Sequence, residues 1–138
     1  MYLLDTNAVS EPGRLHPDAG FLAWFDATPE PLQYVSVLTI GELRHGTQAM
    51  VAGRQRAFLE GLQVILTTRH RARVLDVDIA VVKLWADIAL ENKRNGRRPG
   101  AIDELIAATA LLYDFTVVTR NVRDFQTSGC KLLSPWTG

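Results

Sequence analysis

Cysteine is nearly missing from this chain: Cys130 is its one thiol in 138 residues. An internal disulfide framework and a cysteine-rich metal site are both excluded, which suits a reducing cytosol. Histidine is scarce as well. His16, His45 and His70 stand apart with no H-x-x-x-H or comparable spacing, so the chain offers no zinc signature. No apolar stretch approaches the roughly 18 residues that a membrane span requires. Asp5 interrupts the only early apolar run, so no signal peptide is visible and the expected location is the cytoplasm. Charge of one sign is also lacking, with Lys+Arg and Asp+Glu at 15 each. That balance argues neither for nor against nucleic acid, because binding depends on how the charge is distributed. Repeats, low-complexity tracts and long linkers are absent, so residues 1–138 are expected to form one domain.

What is present is an alternation. Tyr2-Leu3-Leu4 reads as an inner strand ending at Asp5, and LQYVSVL (32–38) as a β-branched strand. VLDV (74–77), FTVVT (115–119) and CKLLS (130–134) read as further short strands. Between them, 17–28 reads as a helix with Phe21, Leu22, Trp24 and Phe25 inward, and 39–50 and 54–67 as two more. The stretch 78–96 is a long amphipathic helix with Ile79, Val82, Trp85, Ile88 and Ala89 at helical spacing, and 101–114 is another helix. Short apolar strands separated by helices predict an α/β fold with a mainly parallel central sheet and helices on both faces. In such sheets the site lies beyond the carboxyl ends of the strands.

Four acids fall in that region, and each has two readings. Asp5 is either a strand-end cap or a functional carboxylate. Glu42 closes a capping box, Thr39-Ile40-Gly41-Glu42, or sits beyond the strand before it as a ligand. Asp103 complements a helix dipole, yet shares a side with the small apolar residues Ile106, Ala107 and Ala110, which would let the helix approach the sheet. Asp124, with Asn121, is a turn residue or a further acid after the strand at 115–119. Converging carboxylates repel, and one would have its pKa raised unless a cation neutralised the group. Hard oxygen ligands without His or Cys point to Mg²⁺ or Mn²⁺, and metal-bound water facing a phosphodiester is the natural chemistry.

The chain resembles the PIN-domain ribonucleases, and within them the VapC-type toxins of toxin–antitoxin pairs. The resemblance rests on four stretches in order: LLDTN, VLTIGELRHG, D-x-x-I-A-A-T-A from Asp103 to Ala110, and VVTRNVRDF. The Ser10-Glu11-Pro12 that follows the first, and the closing Ser134-Pro135-Trp136, are similar to a FitB-like branch. The resemblance implies a PIN-like fold, a metal-dependent endoribonuclease and products with 5′-phosphate and 3′-hydroxyl ends. It makes Asp5, Glu42 and Asp103 the principal Mg²⁺- or Mn²⁺-ligating acids. Relatives differ at the fourth position; Asp124 is taken as that acid and Asn121 as a hydrogen-bonding or water-held ligand. Thr6, Asn7 and Thr119 would orient the carboxylates. A homodimer is implied too, as is a small VapB-type antitoxin whose C-terminal segment covers the site. Two rivals stand beside this reading. A haloacid-dehalogenase-type phosphatase wants a second aspartate where this chain has Asn7, and a catalytically silent PIN fold would only bind an antitoxin or RNA.

RNA binding calls for cations near the acids. The candidates are Arg44, Arg120, Arg123 and the basic runs 69–73 and 93–98, of which Arg97 and Arg98 lead toward Asp103. Solvated helix ends are the competing explanation for both runs. No residue pattern reads bases, so no sequence preference follows.

Overall fold

In the computed structural model, which describes residues 1–137, five short strands share one sheet. They are β1 (Tyr2–Leu4), β2 (Gln33–Ser36), β3 (Val74–Leu75), β4 (Thr116–Val118) and β5 (Lys131–Leu133). Their order is β3-β2-β1-β4-β5 and every pairing is parallel. The chain therefore builds outward from β1 to β2 and β3 on one side, and to β4 and β5 on the other. That reversal opens a crevice between the carboxyl ends of β1 and β4, where ligands of open α/β sheets bind.

The helices are α1 (Thr6–Ser10), α2 (Ala19–Ala27), α3 (Val37–Gln48), α4 (Arg54–Thr67), α5 (Ile79–Arg94) and α6 (Ala101–Tyr113). Successive strand residues face opposite sides, so each central strand feeds two cores. Leu4, Val35 and Val118 pack with Val9, Phe21, Leu43, Leu59 and Leu66 on one side. Leu3 and Val117 pack with Val81, Ile88, Ile106, Ala107, Ala110 and Phe125 on the other. Leu3 and Val117 are wholly buried, and each such side chain contributes about 1.5–3 kcal/mol of transfer free energy.

Three sequence expectations are corrected. The second strand does not reach Leu38: it ends at Ser36, whose hydroxyl accepts from the Leu38 amide and starts α3. Consequently Thr39 lies inside the helix and the Thr39–Glu42 capping box does not form, because a box needs its hydroxyl at the cap position. In α5, Ile79 and Val82 point outward, at 76% and 44% exposure, and the buried stripe is Val81, Ile88 and Asn92. Asp78 caps α5 by accepting from the Val81 amide, and α6 decides which side is covered. Alternating apolar residues on both sides of a helix leave that choice to its neighbour.

The Ser10-Glu11-Pro12 turn and the Ser134-Pro135-Trp136 tail meet in space. Glu11, only 2% exposed, accepts from the Trp136 indole N–H at 2.7 Å and from the Asp18 amide at 3.0 Å. Trp136 lies on Phe21 with ring centroids 4.6 Å apart, and Thr137 donates to Asp18 from its amide and its hydroxyl. Gly20 lets this tail pass, since a β-carbon there would collide with Thr137 and the Pro135 carbonyl. The C-terminal segment is thus tied back onto α2 and the turn after α1.

Candidate active site

Asp5 continues the line of β1, its amide donating to the Val118 carbonyl at 3.0 Å. Its side chain caps α1 by accepting from the Thr6 amide at 2.8 Å. The same carboxylate accepts from the Thr119 hydroxyl at 3.0 Å and the Asn7 amide at 3.3 Å. Burial pushes its pKa up, the Thr6 amide and Thr119 hydroxyl pull it back, and Glu42 adds to the rise. The cap and the acid cluster are therefore the same residue, and the two readings do not compete.

Glu42 reaches the site from α3. Its Oε1 accepts a short hydrogen bond from the Thr6 hydroxyl, which also lies 3.4 Å from the Thr39 hydroxyl. Thr6 thus links the acids that follow β1 and β2. Asp103 enters from the first turn of α6 while Ile106, Ala107 and Ala110 on the same side are buried against the sheet. Burial, then the charges of Asp5, Asp124, Glu42 and Glu104, raise its pKa to about 7. Asp124 lies exposed in a one-turn 3-10 helix, Val122–Asp124, beyond β4.

Thr119 and Asn7 join the crevice walls. Thr119 is fully buried and accepts from the Asn121 amide at 3.0 Å while donating to Asp5. Asn7 donates to Asp5 and accepts from the Arg120 amide at 3.1 Å, so it bridges the ends of β1 and β4. Asn121 stands exposed at the head of the 3-10 turn and makes no side-chain cap bond to it.

The donor set is oxygen-only: carboxylates, hydroxyls and one amide. That suits Mg²⁺ or Mn²⁺ and not a soft or imidazole-seeking metal. Among the described residues no three Asp, Glu, His or Cys side chains form a ready metal cage. The acids are electrostatic neighbours, as the rise at Asp103 records, and are not gathered on one point.

The predicted cations divide. Arg44 lines a separate cleft between α3 and α4 with Thr47, Arg56 and Gln63. Two residues along a helix are about 200° apart, so Arg44 and Glu42 face different ways. The run 69–73 is largely engaged in structure. Arg71 pairs with Asp76 at 3.1 Å, while His70 and Arg73 both reach Glu30, at 2.8 and 3.1 Å. Arg97, Arg98 and Arg123 instead line a cleft with Asp124. Arg120 acts on Glu11 through its charge.

Two residues escaped the sequence reading of the site region. Asn92 is 3% exposed on the apolar stripe of α5, a polar residue at a core position, and that mismatch was its available signal. Glu11 carried only its place between Ser10 and Pro12, and its partner Trp136 lies 125 positions away.

A PIN domain model matches residues 2–127. The chain is similar to the VapC ribonuclease Y4jK of Sinorhizobium fredii, with 36% identity over 99% of this chain and 98% of the relative. It is also similar to the toxin FitB of Neisseria gonorrhoeae, with 34% identity over 99% of each. Among solved structures, FitAcB from Neisseria gonorrhoeae superposes with a TM-score of 0.86 at 32% identity, covering 100% of both chains. The DNA-bound VapBC of Salmonella typhimurium superposes at 0.80 with 27% identity over 97% of each. A crevice at the β1–β4 reversal ringed by acids from four segments, on a chain matched over nearly its whole length, identifies this protein as a member of the PIN-domain family.

Proposed function

We propose that this chain is a metal-dependent endoribonuclease, the toxin half of a VapBC-type pair. The reading is supported by the electrostatic proximity of Asp5, Asp124 and Glu42 to Asp103 near the switch point of the sheet, where burial and these charges, with that of Glu104, raise Asp103 to about 7. A carboxylate in that state takes up a proton or a cation. Asp5, Glu42, Asp103 and Asp124 would hold one or two Mg²⁺ or Mn²⁺ ions, with Asn121 at the edge. When bound, such an ion polarises phosphate oxygens and lowers the pKa of its water. The chain's own residues supply the orientation. Thr119, Asn7 and the Thr6 amide aim Asp5, and the Thr6 hydroxyl aims Glu42. Fixed ligands of this kind avoid reorganisation when charge develops on the phosphate.

The structures of FitAcB and VapBC are toxin–antitoxin complexes by their descriptions, and a cognate antitoxin is proposed here by that likeness. A cavity of about 580 Å³ on the face away from α6, lined by Leu4, Val9, Phe25, Val35, Phe58 and Leu62, would take its apolar residues. Trp24, on the same helix as Phe25, packs edge-on against Tyr2, 5.2 Å between ring centroids, and does not line the cavity. An antitoxin arginine reaching the acids could pair two carboxylates in fork geometry. Exposed Ile79, Val82 and Leu90 form an outward stripe on α5 that a second copy would cover in a homodimer. No helix among the described residues is long and apolar enough to cross a membrane, and the cytoplasm is the proposed place of action. The test is cleavage of bulk RNA by the protein freed of partner, with Mg²⁺ or Mn²⁺ and an EDTA control. Metal-dependent cleavage is expected; intact RNA under saturating metal would leave only the silent binding module.

A further inference from the structure

Three segments meet beside Asp124: the basic turn after α5, the 3-10 helix Val122–Asp124 and the loop that follows it. Together they enclose a cleft of about 320 Å³ lined by Arg97, Arg98, Arg123, Asp124, Gln126 and Thr127. All three arginines are exposed, and among the described residues none of them forms an ion pair. Arg56, Arg71 and Arg73, by contrast, are each bound to a carboxylate. Three like charges around one cleft repel one another and focus a positive potential on it.

Behind the cleft, its Thr127 wall is tied to buried Asn92. Asn92 donates to Glu104 at 2.9 Å, accepts from the Thr127 hydroxyl at 2.9 Å, and its carbonyl accepts from the Arg97 amide at 2.8 Å. Gly96 takes φ +68° and donates to the Lys93 carbonyl, which completes a Schellman turn at the end of α5. The buried Asn92 side chain thereby joins the start of α6 next to Asp103 to the Thr127 loop, while its main-chain carbonyl closes the turn that carries Arg97. The Schellman turn alone is an ordinary helix ending; the side-chain ties of Asn92 to Glu104 and Thr127 distinguish this one.

Resting on the nuclease reading above, we infer that this cleft is a phosphate subsite, holding a backbone phosphate of single-stranded RNA adjacent to the one cleaved. It borders Asp124, so an RNA strand whose scissile phosphate faces the acids passes Arg123 and then Arg97 and Arg98. Guanidinium groups match phosphate oxygens bidentately. No aromatic side chain lines the cleft, so it offers no platform for stacking a base, and its contribution is independent of sequence.

The test begins with binding. In an Asp103→Asn background, a short single-stranded RNA is titrated by fluorescence anisotropy across a salt series, with and without R97Q/R98Q/R123Q. The triple change is expected to weaken binding several-fold at low salt. It should also flatten the slope of log K against log salt by about 0.7 for each phosphate that is no longer neutralised. Cleavage follows, with a neutral methylphosphonate placed singly at each position flanking the cut. One such position should raise KM for the protein with its arginines intact and leave the triple variant unaffected. An unchanged salt slope, or equal methylphosphonate sensitivity in both proteins, overturns the subsite. Unchanged RNA binding with lost capture of the antitoxin also overturns it and assigns the cleft to a protein. Absence of metal-dependent cleavage by the parent refutes the nuclease reading alone, since the binding series still decides the subsite.

Discussion

Glu11 and Asp103 are both carboxylates drawn away from water, and they titrate in opposite directions. Burial alone would raise Glu11, but the Trp136 indole, the Asp18 amide and the charges of Arg14 and Arg120 hold it below its ordinary value. Asp103 has burial and four neighbouring carboxylates, and it rises to about 7. The difference lies in the company each keeps: donors around one, like charges around the other. A buried acid whose partners satisfy it is a structural part. A half-buried acid whose neighbours oppose it waits for a cation, and perturbed groups of that sort gather at functional sites.

Exchanging the two acids for amides should separate these roles most sharply. Asp103→Asn is expected to cut RNA cleavage by at least about a hundredfold, because the acids act as one unit and removing one charge disables the rest. Its melting temperature should hold or rise, since like-charge repulsion is relieved. Cleavage at the parent's rate would remove Asp103 from the site. Asp5→Asn should follow it in activity.

Metal and pH probe the same asymmetry at the next scale. An ion bound only by the native acids adds about 2.7 kcal/mol at a hundredfold excess over Kd. Melting should therefore climb with Mn²⁺ in the parent and barely move in Asp103→Asn. Without metal, Asp103 has a folded value of about 7 against an ordinary 3.8. Its protonated form is the one the fold favours, so its contribution is complete below 3.8 and is lost as pH rises through 7. Glu11 runs the other way, contributing above 4.5 and losing that contribution as acid carries pH through its depressed value. In EDTA, raising pH from 3.8 toward 7 should lower the parent's melting temperature and strengthen its apparent Mn²⁺ affinity, with both trends levelling off above 7, and Asp103→Asn should flatten them. Parallel curves for the two proteins would refute the assignment.

Glu11→Ala should act on stability instead of chemistry. It strips the acceptor from the half-buried Trp136 indole and Asp18 amide, a loss of about 1–2 kcal/mol. Urea unfolding should show that loss, while cleavage per folded molecule at low temperature stays near the parent's. A collapse of kcat with unchanged stability would make Glu11 a functional acid. The smallest effect is expected at Arg44, whose cleft lies between α3 and α4. Arg44→Gln should leave cleavage and RNA affinity within about twofold, within the small free-energy range of exposed substitutions. A larger loss in KM would route RNA over that cleft as well.

The alternating pattern of short apolar strands and helices was readable locally, because Leu3-Leu4 and Val117-Val118 are buried on both sheet faces and carry no polar residue between them. The four acids were readable as strand-end and helix-mouth residues for the same local reason. Their mutual approach was not a local property. Asp5 meets Thr119 across 114 positions and Thr6 meets Glu42 across 36, and only the strand order β3-β2-β1-β4-β5 brings those ends together. The outward turn of Val82 follows from which side of α5 its neighbour covers, the separation of Arg44 from Glu42 from the turn of the helix between them, and the Thr39 capping box fails because Ser36 already caps α3. Composition, periodicity and the types of the candidate ligands were thus determined by the sequence alone, since each rests on residues within a few positions of one another. Which carboxylates face one another, which arginines stay unpaired and which glutamate is tied down by a tryptophan were decided by the tertiary structure, because pKa and pairing depend on distance through space.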